Sequence, residues 1–114
     1  MTQQMQQSGG AITGSITSSS SITGIQDGRT IVTTAGTRVV LAASTTCKAV
    51  IITAETDNTG RVVVGGTTVV AALATRRGTP LSAGDSVTIE IDNLNDINLD
   101  ALVSGDGVTY TYFT

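Results

Sequence analysis

The sequence predicts an antiparallel β-sandwich or jelly roll with an extended N-terminal arm. Apolar and polar residues alternate along three segments of the last third of the chain, which is typical of strands that pack one face on a core. Turn signals rich in Gly, Asn and Asp separate about seven or eight short segments, at lengths that suit antiparallel connections. At 114 residues the chain has the length of one domain. We therefore expect an arm over residues 1–28 and a β-sandwich over residues 29–114.

The predicted arm consists mainly of Gln, Ser, Gly and Thr, and two copies of Ile-Thr-Gly bracket a run of serines. This composition is typical of a flexible linker or tail, but its isoleucines recur too regularly for a pure spacer. Contacts with its own domain or with a neighbouring subunit could hold such an arm. We hypothesise that it adds as a strand to the edge of a neighbouring subunit or shell protein. Its four expected anchors are Ile12, Ile16, Ile22 and Ile25.

The first half of the domain contains a predicted hairpin. Two strand-like segments, RTIVTT and TRVVLAA, flank a loop at residues 34–36. The segment KAVIITA follows and is closed by the turn ETDNTG. Asn58 and Gly60 in this turn suit the left-handed conformations of a tight hairpin. The sequence therefore predicts that residues 61–64 pair with KAVIITA as the return strand.

The segment TVVAALATRRG has two interpretations. It could form another strand, or a strand that runs into one helical turn around residues 71–77. Gly78 would end either element. The residue pattern alone leaves both open.

The last third of the domain predicts three strands, SVTIEID, INLDALV and VTYTYF, separated by turns. Because side chains alternate between the two faces of a strand, every second residue should point to the core. With the segment KAVIITA included, the residues expected to point inward are Val50, Ile52, Val87, Ile89, Ile91, Leu99, Val103, Val108 and Tyr110.

Composition argues against most kinds of chemistry. The chain has no histidine, which is the commonest general base and metal ligand. Aromatic residues make up 3% of the chain, so stacking platforms for sugars or bases are scarce. The net charge of −3 offers no electrostatic footprint for nucleic acid or an anionic membrane. We therefore expect no catalytic residues, no cofactor, no metal, no nucleic-acid partner and no membrane partner.

The single cysteine, Cys47, is expected to be a small buried residue at the start of a strand. The alternative is a reactive thiol whose pKa is lowered by Lys48 beside it. No histidine or second cysteine completes such a site. The buried role is therefore the favoured interpretation.

One acidic cluster resembles a calcium loop. Asp96, Asn98 and Asp100 have the spacing that opens an EF-hand, but Ala101 stands at the sixth position and Gly107 at the twelfth, where glycine and glutamate are needed. On a strand the three side chains would lie about 6.5 Å apart, too far for one coordination shell. We interpret them as the solvated outer face of a strand.

Asp85 could form half of a carboxylate pair with Glu90 or Asp92. A glycosidase needs two carboxylates across a cleft, usually with aromatic platforms for the sugar. Turn chemistry explains Asp85 without catalysis, so we interpret it as a turn residue.

Arg76 and Arg77 are the only adjacent basic pair. Exposed arginines usually form surface ion pairs that contribute little to stability. Charged residues make up only 13% of the chain, about half the usual share. The alternative hypothesis is therefore that this pair binds an acidic neighbour in an assembly.

Several motifs, taken in order, resemble a group of small virion proteins of tailed bacteriophages. They cover about residues 37–113: Leu41 and Ala42; Ile51–Ala54; Asn58, Gly60 and Val62–Gly65; Gly78–Leu81 with Gly84–Leu94; and Gly105–Tyr112. The resemblance implies a β-sandwich or jelly-roll subunit that decorates the phage head as a cement protein, or serves as a head-fibre or tail component.

The leading expectation is therefore a structural protein of a phage virion. It would decorate the surface of the head as a homotrimer, with itself and the major capsid protein as partners. A tail, neck or head-fibre component is the alternative within this class. A host-surface or carbohydrate-binding module is the alternative outside it, and the scarcity of aromatic residues argues against that role.

Overall fold

The computed structural model describes residues 22–114, which form an all-β domain of two antiparallel sheets. The strands are β1 (Ile25–Ile31), β2 (Val39–Val40), β3 (Ala49–Ala54), β4 (Val62–Gly65), β5 (Thr79–Leu81), β6 (Ser86–Glu90), β7 (Asn98–Ala101) and β8 (Gly107–Phe113). The first sheet has the strand order β1-β8-β3-β6 and the second has the order β2-β7-β4-β5. Two short 3₁₀ turns cover Leu73–Thr75 and Leu94–Asp96. The predicted β-sandwich class is confirmed.

The core lies between the two sheets and follows the predicted alternation. Val50 and Ile52 on β3, Leu99 on β7 and Val108 on β8 are fully buried. Four of the other residues expected to point inward are partly buried and pack against this cluster: Val87, Ile89, Ile91 and Tyr110. Val103 lies beyond the end of β7 and is half-buried. Period-two alternation therefore identified the inner faces of β3, β6, β7 and β8, the four strands for which inward-facing residues were predicted.

The hairpin predicted between the third and fourth strands is wrong. Strand β3 pairs with β8 and β6 in the first sheet, whereas β4 pairs with β7 and β5 in the second. The connection between them crosses from one sheet to the other. Asn58 holds it by exchanging two hydrogen bonds with the backbone of Gly107. The buried carboxylate of Asp106 also accepts the N–H groups of Thr59 and Gly60, at 3.0 and 2.7 Å.

The segment between β4 and β5 covers the outer face of the second sheet. Val69 and Ala71 from this segment pack against Val63 of β4 and form a second, smaller apolar cluster. The backbone of Val70 pairs with that of Arg77, and the 3₁₀ turn Leu73–Thr75 lies between them. Of the two interpretations left open by the sequence, the one with a helical turn is closer to the structure.

We expect Gly78 to be required for the segment between β4 and β5 to pack on the outer face of the second sheet. Its φ of +117° is strained for any other residue, and an added Cβ would lie 2.7 Å from the carbonyl oxygen of Val64. We expect Gly78→Ala to lower the free energy of unfolding by about 1–3 kcal/mol, measured by urea denaturation. Gly66→Ala is the matched control, because a Cβ there meets nothing within 4 Å. Equal stability of the two variants would contradict this account.

Candidate functional site

The arm joins the domain at the edge of the first sheet. Strand β1 begins at Ile25, four residues before the boundary expected at residue 29. Pairing continues upstream of the strand, because the N–H groups of Thr23 and Gly24 both donate to the carbonyl oxygen of Thr114, at 2.6 and 3.1 Å. The N–H of Thr114 returns a hydrogen bond to Gly24. The base of the arm is therefore fixed to the last residue of the chain.

Two of the four proposed arm anchors can be placed. Ile12 and Ile16 lie outside the described residues. Ile22 and Ile25 retain 37% and 65% of their side-chain exposure. Neither isoleucine is buried against its own domain, so both are free to contact another molecule.

The two arginines of the basic pair have different environments. The guanidinium of half-buried Arg76 donates two hydrogen bonds to the carbonyl oxygen of Ala71, at 3.1 and 2.9 Å. Arg76 therefore closes the segment that covers the second sheet. Arg77 contributes its backbone to this closure, while its side chain is exposed. Among residues 22–114 neither arginine forms a salt bridge, so only Arg77 has a free side chain for an acidic neighbour.

The interpretation of this acidic cluster as the solvated outer face of a strand is wrong for the two residues on β7, because Asn98 and Asp100 are each only 2% exposed. The carboxylate of Asp100 accepts backbone N–H groups from Gly36, Ala71 and Ala101, at 3.0, 2.8 and 2.9 Å. Asp100 thereby joins two loops to the outer face of the second sheet.

The other two residues of this region, Asn98 and Asp96, have different environments. The side-chain oxygen of Asn98 accepts a hydrogen bond from the guanidinium of Arg38 at 3.1 Å. The side chain of Asp96 is exposed at the end of the 3₁₀ turn Leu94–Asp96. Across residues 22–114, no three or more His, Cys, Asp or Glu side chains come together as a potential metal site.

The remaining candidates match their structural interpretations. The carboxylate of Asp85 accepts the N–H of Ser82 at 3.0 Å, and its own N–H donates to the carbonyl oxygen of Ser82, which defines a turn. Cys47 is 3% exposed, and its thiol donates to the carbonyl oxygen of Ile91. Burial, together with the charge of Asp92, raises the pKa of this thiol, which lowers its reactivity.

The outer face of the first sheet is open to solvent, in contrast to that of the second. Because Val50 and Ile52 point to the core, the alternate residues of β3 and of the strands beside it point outward. Each outward side chain keeps some exposure. The face carries Ile25, Asp27, Arg29, Ala49, Ile51, Thr53, Ser86, Thr88, Glu90, Thr109, Thr111 and Phe113. It is a mainly uncharged surface that ends at the edge strand β1.

An open depression lies beside the end of β3, lined by residues 53–57 and Thr109. Its lining consists of threonine, alanine and acidic side chains, without an aromatic ring. Sugar sites usually stack their ligand on such a ring. The depression therefore gives little support to a carbohydrate-binding role.

Comparisons of the chain with protein-family models, curated proteins and solved structures gave no match. Within the described part of the chain, no helix has the length and apolar character to cross a membrane.

Proposed function

We propose that this protein is a structural component of a tailed-phage virion, a decoration protein that binds the surface of the head shell as a homo-oligomer. The partners would be other copies of itself, as a homotrimer, and the major capsid protein. The observation that best supports this proposal is the position of the arm. It leaves from an edge strand, next to two exposed isoleucines and the open face of the first sheet.

An arm in this position can connect the domain to a neighbour. The residues before Ile22 could span up to roughly 70 Å when extended, enough to reach an adjacent shell subunit. Ordering a chain costs about 1–2 kcal/mol per residue in backbone entropy. Pairing with a strand edge supplies hydrogen bonds that offset this cost, and isoleucines supply apolar contacts. The arm would therefore bind along another protein as an added strand.

The domain suits a role in which binding alone is the function. Its low charge leaves a surface that is easily desolvated against other proteins. Buried Asp100 and Asp106 attach the loops to the two sheets through backbone hydrogen bonds, which stabilises a domain of modest size. Arg77 could add an ion pair to an acidic neighbour, a contact that would weaken with salt.

Deleting residues 2–21 tests the role of the arm. This deletion keeps β1 and the hydrogen bonds between Gly24 and Thr114. We expect the truncated protein to unfold at the same temperature as the full chain. It should bind phage heads that lack this protein at least about tenfold more weakly than the full chain does, because the arm contributes several hydrogen bonds and apolar contacts. Binding is measured by co-sedimentation with the heads.

Two full-length variants identify the part of the arm that matters. Replacing Ile12, Ile16 and Ile22 together by serine should reduce head binding to the same degree. Replacing Ser18, Ser19 and Ser20 together by alanine is the matched control and should have no effect. If the truncated protein decorates heads with unchanged affinity and heat resistance, the arm is not the attachment.

A further inference from the structure

Strand β1 has one edge on which none of the strands within residues 22–114 pairs. It lies at the end of its sheet and pairs only with β8 among the described strands. Gly24 and Thr114 exchange two hydrogen bonds, and in an antiparallel ladder this arrangement recurs at every second residue. Gln26, Gly28 and Thr30 therefore direct their backbone groups to β8. The backbone N–H and C=O groups of the alternate residues point to the free edge: Ile25, Asp27, Arg29 and Ile31.

The sequence of β1 is symmetric about its centre. It reads IQDGRTI, with Gly28 in the middle. Ile25 and Ile31 occupy equivalent positions on either side, and the charged residues Asp27 and Arg29 are equivalent in position but opposite in sign. Both charged side chains are exposed on the outer face. A two-fold axis through Gly28 would therefore bring unlike charges together.

We propose that β1 pairs antiparallel with β1 of a second copy, around a two-fold axis at Gly28. In this register Asp27 lies opposite Arg29 of the second copy, and Ile25 lies opposite Ile31. These pairs use the backbone groups that face the free edge, so the ladder bonds form without any change in the strand. The contact is isologous and joins the two first sheets into one continuous sheet of eight strands.

The charges also select this register. Shifting the pairing by two residues would place Asp27 opposite Asp27, or Arg29 opposite Arg29, and like charges opposite each other destabilise a strand pair. A shift by one residue would turn the outer face of one strand to the inner face of the other. Charges on an edge strand ordinarily prevent pairing. Here their order along β1 favours one register of self-pairing and disfavours the registers shifted by two residues.

Arg29 can take part in this contact without losing its existing partner. Its Nε and one terminal nitrogen bind the carboxylate of Glu55 on the same chain. The other terminal nitrogen has no hydrogen bond among the described residues. A guanidinium can bind two carboxylates at once, so Arg29 would bridge Glu55 and Asp27 of the second copy. The central glycine is set by the domain itself, because a Cβ at Gly28 would collide with the ring of Tyr110 on the same chain.

This pairing is independent of the virion role, since it depends only on β1. If the protein also forms the expected homotrimer through another surface, the contact would join two trimers. In either case the assembly contains an even number of copies. Loss of the contact would therefore halve the mass of the particle in solution.

Charge-reversal variants test the pairing. In the Asp27→Arg variant, residues 27 and 29 are both arginine, so each cross-strand pair contains two arginines. In the Arg29→Asp variant both residues are aspartate, so each pair contains two aspartates. We expect each variant alone to self-associate at least about tenfold more weakly than the original chain, and to sediment at half its mass. A mixture of the two variants should recover the mass, because all its cross-strand pairs are again of opposite charge.

Two further variants test whether a change in mass comes from this contact or from another effect of the substitutions. The double variant with both Asp27→Arg and Arg29→Asp restores opposite charges across the contact but loses the ion pair between Arg29 and Glu55, so it should associate more strongly than either single variant. Glu90→Arg changes the net charge by the same amount as Asp27→Arg but lies on β6, at the opposite edge of the sheet, and should leave the mass unchanged. Thermal unfolding confirms that each variant is folded.

Four results would overturn the proposal. In the first, the single variants keep the original mass. In the second, their mixture fails to recover it. In the third, Glu90→Arg halves the mass, which would instead indicate pairing between β1 and β6. In the fourth, deletion of residues 2–21 abolishes self-association, which would place the neighbour's arm on this edge. Head binding is measured separately, so the proposed function can fail while this contact is confirmed.

Discussion

Asp100→Ala is expected to lower the free energy of unfolding by about 2 kcal/mol or more, because two buried residues, Ala71 and Ala101, lose the acceptor of their N–H groups at a cost of about 1–3 kcal/mol each. The substitution removes the acceptor of three backbone N–H groups, on Gly36, Ala71 and Ala101. Urea denaturation measures the loss. Hydrogen exchange should also show faster exchange at Gly36 and Ala71, since both loops lose their attachment to β7.

Two control variants separate the hydrogen bonds from the loss of an acidic side chain. Asp100→Asn keeps one acceptor oxygen in a side chain of the same shape, and should cost less than Asp100→Ala. Asp96→Ala removes an exposed carboxylate in the same part of the sequence, and should change stability by less than about 0.5 kcal/mol. If Asp100→Ala costs no more than Asp96→Ala, Asp100 does not hold the two loops.

Leu99→Ala is expected to lower the free energy of unfolding by about 2–5 kcal/mol. Leu99 lies on the central strand β7 with 0% exposure, and it packs in the core between the two sheets. Its truncation removes apolar contacts and leaves a cavity that the surrounding strands cannot fully close. Urea denaturation of the purified variant measures the effect.

Leu102→Ala is the matched control for Leu99→Ala. It makes the same chemical change three residues further along, where the side chain is 37% exposed. We expect a clearly smaller loss, since less apolar surface leaves contact with the protein. Equal losses at the two positions would mean that Leu99 does not lie in a well-packed core.

The inner faces of the strands could be predicted from sequence because their physical signal is local. Val50 and Ile52, two residues apart, are buried, while Ala49, Ile51 and Thr53 between and beside them keep exposure. The alternation follows from the geometry of a single strand and does not depend on which strand lies beside it. For the same reason it could not show that β3 and β4 belong to different sheets.

The turn between β3 and β4 illustrates this limit. Asn58 suits a tight hairpin in isolation, but its side chain binds Gly107, which is far away in the sequence. The adjacent N–H groups bind Asp106. Long-range partners thus determine the path of this loop, and local turn chemistry could not reveal them.

The burial of Asp100 could have been inferred from a neighbouring strand. Val62, Val63 and Val64 are three consecutive apolar residues, and such a run indicates a strand buried on both faces. Strand β7 pairs with this strand, so its outer face is covered by the same segment. The pairing itself was the missing information, because sequence alone did not place the two strands side by side.

The symmetry of β1 could not be recognised from the sequence, because the predicted boundary between arm and domain falls inside this strand. The sequence-based division assigned residues 25–28 to the arm and divided the symmetric segment at its central glycine. Only the strand bounds show that Ile25–Ile31 is one edge strand. Composition could not supply this boundary, because Ser, Gly and Thr continue from the arm into the domain.

The proposed function implies that a tailed phage encodes this chain, and cryo-electron microscopy of the heads of that phage is its most direct test. Heads are compared with and without the gene for the protein. We predict that heads with the gene carry β-sandwich density on the outer surface of the shell, with the arm extended along a neighbouring capsid subunit. Heads without the gene should lack this density. Identical shells in the two preparations, or density for the protein only in the tail, would contradict a decoration role.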